Sequence, residues 1–243
     1  MSTSFGRAAS VYEAGRPDYP AEAVAWMLQP VASHDRSVRV ADVGAGTGKL
    51  TRTLVEAGAE VVAIDPDPAM LEALRGTVVG VPTFRGTGER LPLPDAALDA
   101  AVFGQSWHWV DPAAASAEAA RVLRSRGVLG LVWNVRDESA PWVARMTRIV
   151  HGSAAEQMLA DGGPSVAPPF GDPEELVIRW DRPMTREALF AMVRSRSHYL
   201  TADEADRART DAQLAELFDE VGAVGDAEVA LPYVTRAYRS IRP

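Results

Sequence analysis

Short apolar runs rich in valine, isoleucine and alanine alternate along the chain with longer stretches in which apolar residues recur every three or four positions. The first kind of pattern predicts buried strands and the second amphipathic helices. Read in this way, residues 20–30 form a helix, 38–43 strand 1, 48–58 a helix, 61–64 strand 2 and 67–75 a helix. Strand 3 falls near 82–85, strand 4 at 98–103, a helix at 112–124 and strand 5 at 128–133. Regular alternation of strand and helix predicts a doubly wound α/β layout with helices on both faces of the sheet. Further on, 137–151 reads as a helix and 161–173, with Gly162-Gly163-Pro164 and Pro168-Pro169, as a connector. Residues 177–180 then read as strand 6, 185–195 and 203–221 as helices, and 227–237 as strand 7, with no internal repeat.

One junction carries chemistry as well as structure. The run Val38-Arg39-Val40-Ala41-Asp42-Val43 leads into Gly44-Ala45-Gly46-Thr47-Gly48, and a helical pattern follows at once. Glycines there let a ligand approach the backbone, and the helix behind them offers partly positive N–H groups. Spacing narrows the ligand. A dinucleotide loop needs glycine where Lys49 stands, and an NTPase phosphate loop needs its first glycine at Val43 and a Ser or Thr at Leu50. A second acidic strand end follows at Asp65, before Pro66-Asp67-Pro68-Ala69-Met70. Asp65 suits a ribose diol, or an N-cap for the helix after it, and the two roles are compatible.

These residues resemble motif I and the ribose-binding acid of the class I S-adenosylmethionine-dependent methyltransferases. Two further blocks extend the resemblance, so that it covers residues 38–112 in order. Gly86-Thr87-Gly88-Glu89 followed by Leu91-Pro92-Leu93-Pro94 is similar to the family's loop after strand 3, except that Gly88 stands where alanine is commoner. Gln105-Ser106-Trp107-His108-Trp109 is similar to the Gln-x-x-His-Trp segment of the type 11 small-molecule branch. The resemblance implies a Rossmann-like, seven-stranded sheet of order 3-2-1-4-5-7-6 with the last strand antiparallel. It implies S-adenosyl-L-methionine as cofactor, with S-adenosyl-L-homocysteine as product. Its binding residues would be Asp42, Gly44, Ala45, Gly46, Thr47, Gly48, Asp65, Pro66, Met70, Thr87, Gly88, Glu89 and Gln105, with Arg16 on the methionyl carboxylate from a lid ahead of motif I.

For the acceptor side the candidates are Tyr12, Tyr19, Trp107, Trp109, Asn134, Arg196 and Tyr199. His108 is the candidate catalytic base, because imidazole works near neutral pH; the alternative is a hydrogen-bonded pocket wall. An arginine at 194 or 196 suits an acidic acceptor, so carboxyl methylation of the trans-aconitate kind is the leading specific expectation. Methylation of a hydroxyl oxygen, of carbon or nitrogen in a secondary metabolite or quinone, and a catalytically silent cofactor-binding module are the alternatives. No metal is expected, because no acidic residue follows strand 4 and Asn134 has no Asp beside it.

Composition sets the remaining bounds. At 243 residues, with 47% hydrophobic and 24% charged positions, the chain is sized for one methyltransferase domain. Its expected parts are a lid at 1–30, a cofactor core at 31–135 and substrate-side elements at 136–243. A net charge of −8 disfavours nucleic acid. Lack of cysteine fits a reducing cytoplasm, and no membrane segment or signal-peptide core is read. A cytoplasmic monomer or homodimer acting on a small molecule is therefore expected.

Overall fold

The computed structural model describes residues 17–243, apart from the side chains of residues 197 and 198. Tyr12 and Arg16 lie outside the described residues. The strands are β1 (Arg39–Val43), β2 (Glu60–Asp65), β3 (Thr83–Arg85), β4 (Leu98–Gly104), β5 (Leu123–Arg136), β6 (Glu174–Thr185) and β7 (Glu228–Ile241). The α-helices are α1 (Ala21–Leu28), α2 (Lys49–Glu56), α3 (Pro68–Thr77), α4 (Pro112–Val122), α5 (Pro141–Val150), α6 (Ala154–Ala160), α7 (Arg186–Arg194), α8 (Ser197–Thr201) and α9 (Glu204–Glu220).

All seven strands belong to one sheet of order β3-β2-β1-β4-β5-β7-β6. The first five are parallel, with Asp42 beside Ala63, Val40 beside Ala100 and Val102 beside Gly130. Between β5 and β7 the pairing reverses. Arg126 and Gly127 bond Arg242, whereas Asp137 bonds Pro232, so β7 is antiparallel. This is the expected Rossmann-like methyltransferase topology.

By compactness the chain divides into two units. The larger comprises Asp18–Asn134, Met158–Ile178 and Thr235–Pro243. Its core packs Ala23, Val24, Met27 and Leu28 of α1 and Leu50 and Leu54 of α2 on Val40, Val102, Val128 and Val132 of the strands. The helices start where chemistry dictates. Asp67 precedes Pro68 and accepts from Ala69 N–H, and Asp111 precedes Pro112 and accepts from Ala114 N–H, so each proline occupies a position that needs no donor. At the start of β4, buried Asp99 accepts from the Arg39 backbone at 2.9 Å and pairs with Arg36 and Arg124.

The smaller unit comprises, among described residues, Pro17, Val135–Gln157 and Arg179–Val234. There α5, α7 and α9 bury Val143, Met146, Leu189, Val193, Leu214 and Phe218 with Leu231 and Tyr233 of β7.

Element boundaries differ from expectation: α8 lies between the two expected helices, β7 runs to 241 rather than 237, and β5, β6 and α6 differ as well. β5 begins five positions before the expected 128, because Arg124-Ser125-Arg126 hide a strand start that the register shift between Leu98 and Ala100 accommodates. β6 runs from 174 rather than 177, and its charged residues alternate with half-buried ones along the strand. Between 151 and 161, where no element was read, lies α6, whose seven residues are too few to display a period.

Candidate functional site

At the carboxyl end of β1 the chain turns through Gly44, Gly46 and Gly48, with φ values of 71°, 55° and 92°. The first is enforced by a neighbour. A Cβ on Gly44 would lie 2.5 Å from that of Ser106, whose hydroxyl donates to the Val43 carbonyl at 2.7 Å. Gly46 is different, since a Cβ there would meet nothing within 4 Å. Residues on either side are tied down: Gly44 and Ala45 N–H donate to Ile64 O, and the Thr47 carbonyl accepts from Thr77 Oγ1 at 2.9 Å. Gly46 is thus a fixed backbone with open space beside it, a cradle for a ligand.

Two carboxylates flank the cradle. Asp65 accepts from Gly46 N–H at 2.9 Å through Oδ2 and from Asp67 N–H at 2.8 Å through Oδ1. Helix α3 is capped by Asp67 rather than by Asp65, which leaves each Asp65 oxygen a second lone pair for a hydroxyl donor. Asp42 is wholly buried; Thr51 Oγ1 donates to its Oδ2 at 2.6 Å, while its Oδ1 has no partner. Burial, aided by the nearby Asp65 charge and opposed by the Thr51 hydrogen bond, pushes the Asp42 carboxyl up to about 7.

These two observations test the fit of the expected cofactor. An orphaned carboxylate oxygen suits an ammonium group, and an open glycine beside a second carboxylate suits a ribose. An S-adenosyl amino acid carries both groups, and the residues fit it.

The loop after β3 is a tight turn in which Thr87 and Arg90 exchange backbone hydrogen bonds. Glu89 receives the Asp111 N–H at 3.0 Å; burial opposes its ionisation, but this bond and those from Thr87 and its own backbone hold it below the usual carboxylate range. Gly88 has a packing reason, since a Cβ there would press on Val110 and Phe103. Pro66 is exposed and Met70 half-buried at the start of α3.

After β4, Gln105 takes a positive φ of 51°, a conformation strained for a residue with a side chain, and its Nε2 donates to Asn134 O at 3.3 Å. The next turn separates the two indoles. Trp107 is 1% exposed, its Nε1–H donates to Ser165 O at 2.9 Å, and its ring meets Phe103 edge to face. Trp109 is 77% exposed. Trp107 therefore braces the segment from behind, and Trp109 is the indole placed to meet another molecule.

His108, half-buried, has a partner that the sequence did not reveal. The buried Trp133 indole N–H donates to His108 Nδ1 at 3.3 Å. Indole nitrogen only donates, so Nδ1 acts as the acceptor and the imidazole proton resides on Nε2. Trp133 directly precedes Asn134, so an aromatic at the end of a strand was the available signal.

Asn134 is a clasp. Its Nδ2 donates to Asp18 O at 3.1 Å, and its Oδ1 accepts from Thr235 at 2.6 Å. Asp18 is tied in turn to Arg52 and Lys49. The residue that breaks the dinucleotide pattern, Lys49, thus anchors the segment before α1. Tyr19 packs in the core, its hydroxyl 2.9 Å from where a Gly104 Cβ would stand.

The remaining two candidates belong to the smaller unit, where both have partners. Arg196 pairs with Glu156, and the Tyr199 hydroxyl donates to Asp211 Oδ2 at 3.0 Å.

Sheet order, the glycine turn at the carboxyl end of β1 and the acid at the end of β2 define a Rossmann-like α/β protein that binds a nucleoside-bearing ligand. Comparisons narrow the class. Residues 41–131 match the methyltransferase domain family. An uncharacterised methyltransferase of Mycobacterium bovis is 43% identical over 246 residues, covering 99% of this chain and 96% of its own length. An uncharacterised methyltransferase-like protein of Schizosaccharomyces pombe is 30% identical over 235 residues, covering 94% and 91%. Among solved structures, one described as a type II methyltransferase from Anaeromyxobacter dehalogenans superposes with a TM-score of 0.67 at 26% identity, covering 93% of this chain and 97% of the other. The chain belongs to the class I S-adenosylmethionine-dependent methyltransferases. Among the described residues no helix is long and apolar enough to cross a membrane.

Proposed function

We propose that this methyltransferase moves its methyl group to a carboxylate oxygen of a small organic acid. The observation that carries the reading is the hydrogen bond from Trp133 to His108 Nδ1. A base needs a free lone pair. On His108 one nitrogen accepts from the indole and the other bears the proton, so the ring serves as a donor rather than as a base. A carboxylate is an acceptor that needs no base, since it is already anionic at neutral pH.

The cofactor, when bound, supplies a methyl group on a sulfonium that is ready to leave. Asp42 would take its ammonium, Asp65 its ribose hydroxyls and Gly46 its close approach, with Thr87 to Glu89 along the adenine edge. Everything else is positioning. The residues would hold a carboxylate oxygen toward the methyl group the cofactor supplies, and no proton would have to leave the acceptor. His108 Nε2–H orients the oxygen that does not react, and Trp109 covers the acceptor. Alignment and exclusion of water are worth about 7–11 kcal/mol in favourable cases, enough for a group transfer without acid–base help.

The test is a panel of mono-, di- and tricarboxylic acids, phenols and amines incubated with enzyme and methyl-labelled cofactor. Label in a product that mild alkali releases as methanol is expected, because methyl esters hydrolyse and aryl ethers and methylamines do not. Base-stable label on a phenol, amine or carbon would overturn the reading, and folded enzyme that binds cofactor without labelling any acid would equally contradict it.

A further inference from the structure

Within the smaller unit, two arginines share one carboxylate. Arg136, the last residue of β5, is 6% exposed, and its Nη2 reaches Thr147 Oγ1 at 3.1 Å and Glu156 Oε1 at 3.0 Å. From the end of α7, Nη2 of Arg196 reaches the same carboxylate, at 3.3 Å to Oε1 and 3.2 Å to Oε2. Glu156 Oε2 also accepts from Ser153 N–H at 2.7 Å, so its oxygens are fully engaged. Two donors remain over: Nε of Arg136 and Nη1 of Arg196 are buried and have no partner among the described residues.

The charges do not balance either. Burial first, and then the like charge of Arg196, pulls the Arg136 guanidinium below its ordinary value, while Glu156 is held ionised against its burial by the two arginines and Ser153. The buried Tyr233 hydroxyl donates to Met192 Sδ at 3.4 Å and is hydrogen-bonded with Arg182, in the field of Arg182, Arg136 and Arg196. Glu138, the other carboxylate that acts on Arg136, is exposed. An uncompensated buried guanidinium is costly, and each unpaired donor adds to that cost. An anion with two or more acceptor oxygens, taking bonds from both arginines, removes both penalties, and guanidinium forks suit carboxylate and phosphate alike.

We propose that Arg136 and Arg196, with the Tyr233 hydroxyl beside them, form a binding site for a carboxylate or phosphate group, and that Glu156 holds the two forks in place until that group arrives. The anion is a small molecule or ion with a carboxylate or phosphate group, bound within the smaller unit, and the site does not depend on the reading given above.

Calorimetric titration of inorganic phosphate and of malonate into the cofactor-free protein tests the site. Saturable binding is expected, weakened at least tenfold in Arg136→Met and tightened severalfold in Glu156→Gln, where both forks are released. A cluster that serves folding alone would bind neither probe in wild type or in Glu156→Gln. That result would overturn the proposal, as would probe affinity unchanged in a folded Arg136→Met. If that variant does not fold, Arg196→Met, whose side chain is 24% exposed, reads the same effect. Competition of malonate with phosphate in the same titration is expected for a site that reads the shared anionic oxygens, whereas malonate bound in folded Arg136→Met as in wild type would place it elsewhere and overturn the assignment. Titration of S-adenosylhomocysteine into the same variants should be unaffected, so that failure of the anion site and failure of the methyltransferase reading are separable.

Discussion

In the proposed reading Asp65, His108 and Trp133 set the chemistry, and each role can be tested. Asp65 bridges the glycine cradle and α3 through two backbone N–H groups. Asp65→Ala is expected to weaken S-adenosylhomocysteine binding by roughly 1.5–3 kcal/mol, the range for charge-assisted hydrogen bonds, as read by calorimetry. His108 is predicted to carry its proton on Nε2. Nitrogen-15 NMR of the imidazole above pH 8 should show Nδ1 unprotonated, and Trp133→Phe should release that preference; a proton on Nδ1 in wild type would remove the donor assignment. Asp65 and His108 were legible in the sequence because both sit at strand ends inside motifs. The state of His108 was not, because it depends on Trp133, twenty-five positions away along the chain, on the neighbouring strand.

At the scale of elements, the site is an edge-on meeting of loops. The turn after β4 presses on the turn after β1, and that contact explains the glycine at position 44 without invoking a ligand. Gly44→Ala would place a Cβ 2.5 Å from the Ser106 Cβ at a φ of 71°. A loss of about 1–3 kcal/mol in denaturant unfolding is expected, partly restored by Ser106→Gly, which removes the clash and leaves the backbone strain. Full restoration would show that strain contributes nothing. The order of the five parallel strands and the helices between them was readable because parallel strands are continuous apolar runs. The early start of β5 and the existence of α6 were not, since one is masked by arginines and the other is a seven-residue helix. The ion cluster of Arg136, Glu156 and Arg196 joins a strand, a helix and the bend between two others, which no local pattern relates.

For the whole molecule, the titrating groups divide into two sets that act in opposite directions on stability. Asp42 is raised from 3.8 to about 7, so its contribution is fully present below pH 3.8 and is lost as pH rises toward 7. Each pH unit in that window removes about 1.4 kcal/mol, roughly 4 kcal/mol in all. Asp99, Glu118 and Glu156 are lowered, chiefly by arginine partners that outweigh burial, so their contribution is present above the ordinary carboxylate range and is lost in acid. Thermal stability without cofactor is therefore expected to peak at mildly acidic pH and to fall toward pH 8. Asp42→Asn should abolish that alkaline fall in melting scans, and a fall of the same size in the variant would place its cause elsewhere.

The same carboxyl offers the most direct test of the cofactor site: calorimetric titration of S-adenosylhomocysteine near pH 7 in two buffers of different ionisation heat. An ammonium placed on Asp42 Oδ1 lowers that carboxyl, so binding should release part of a proton and the apparent heat should differ between buffers. The difference should vanish in Asp42→Asn, while Asp65→Ala weakens binding in both. Folded protein that does not bind S-adenosylhomocysteine, or binding that neither substitution alters, would contradict the assignment of the glycine turn and its two carboxylates to the methyl donor.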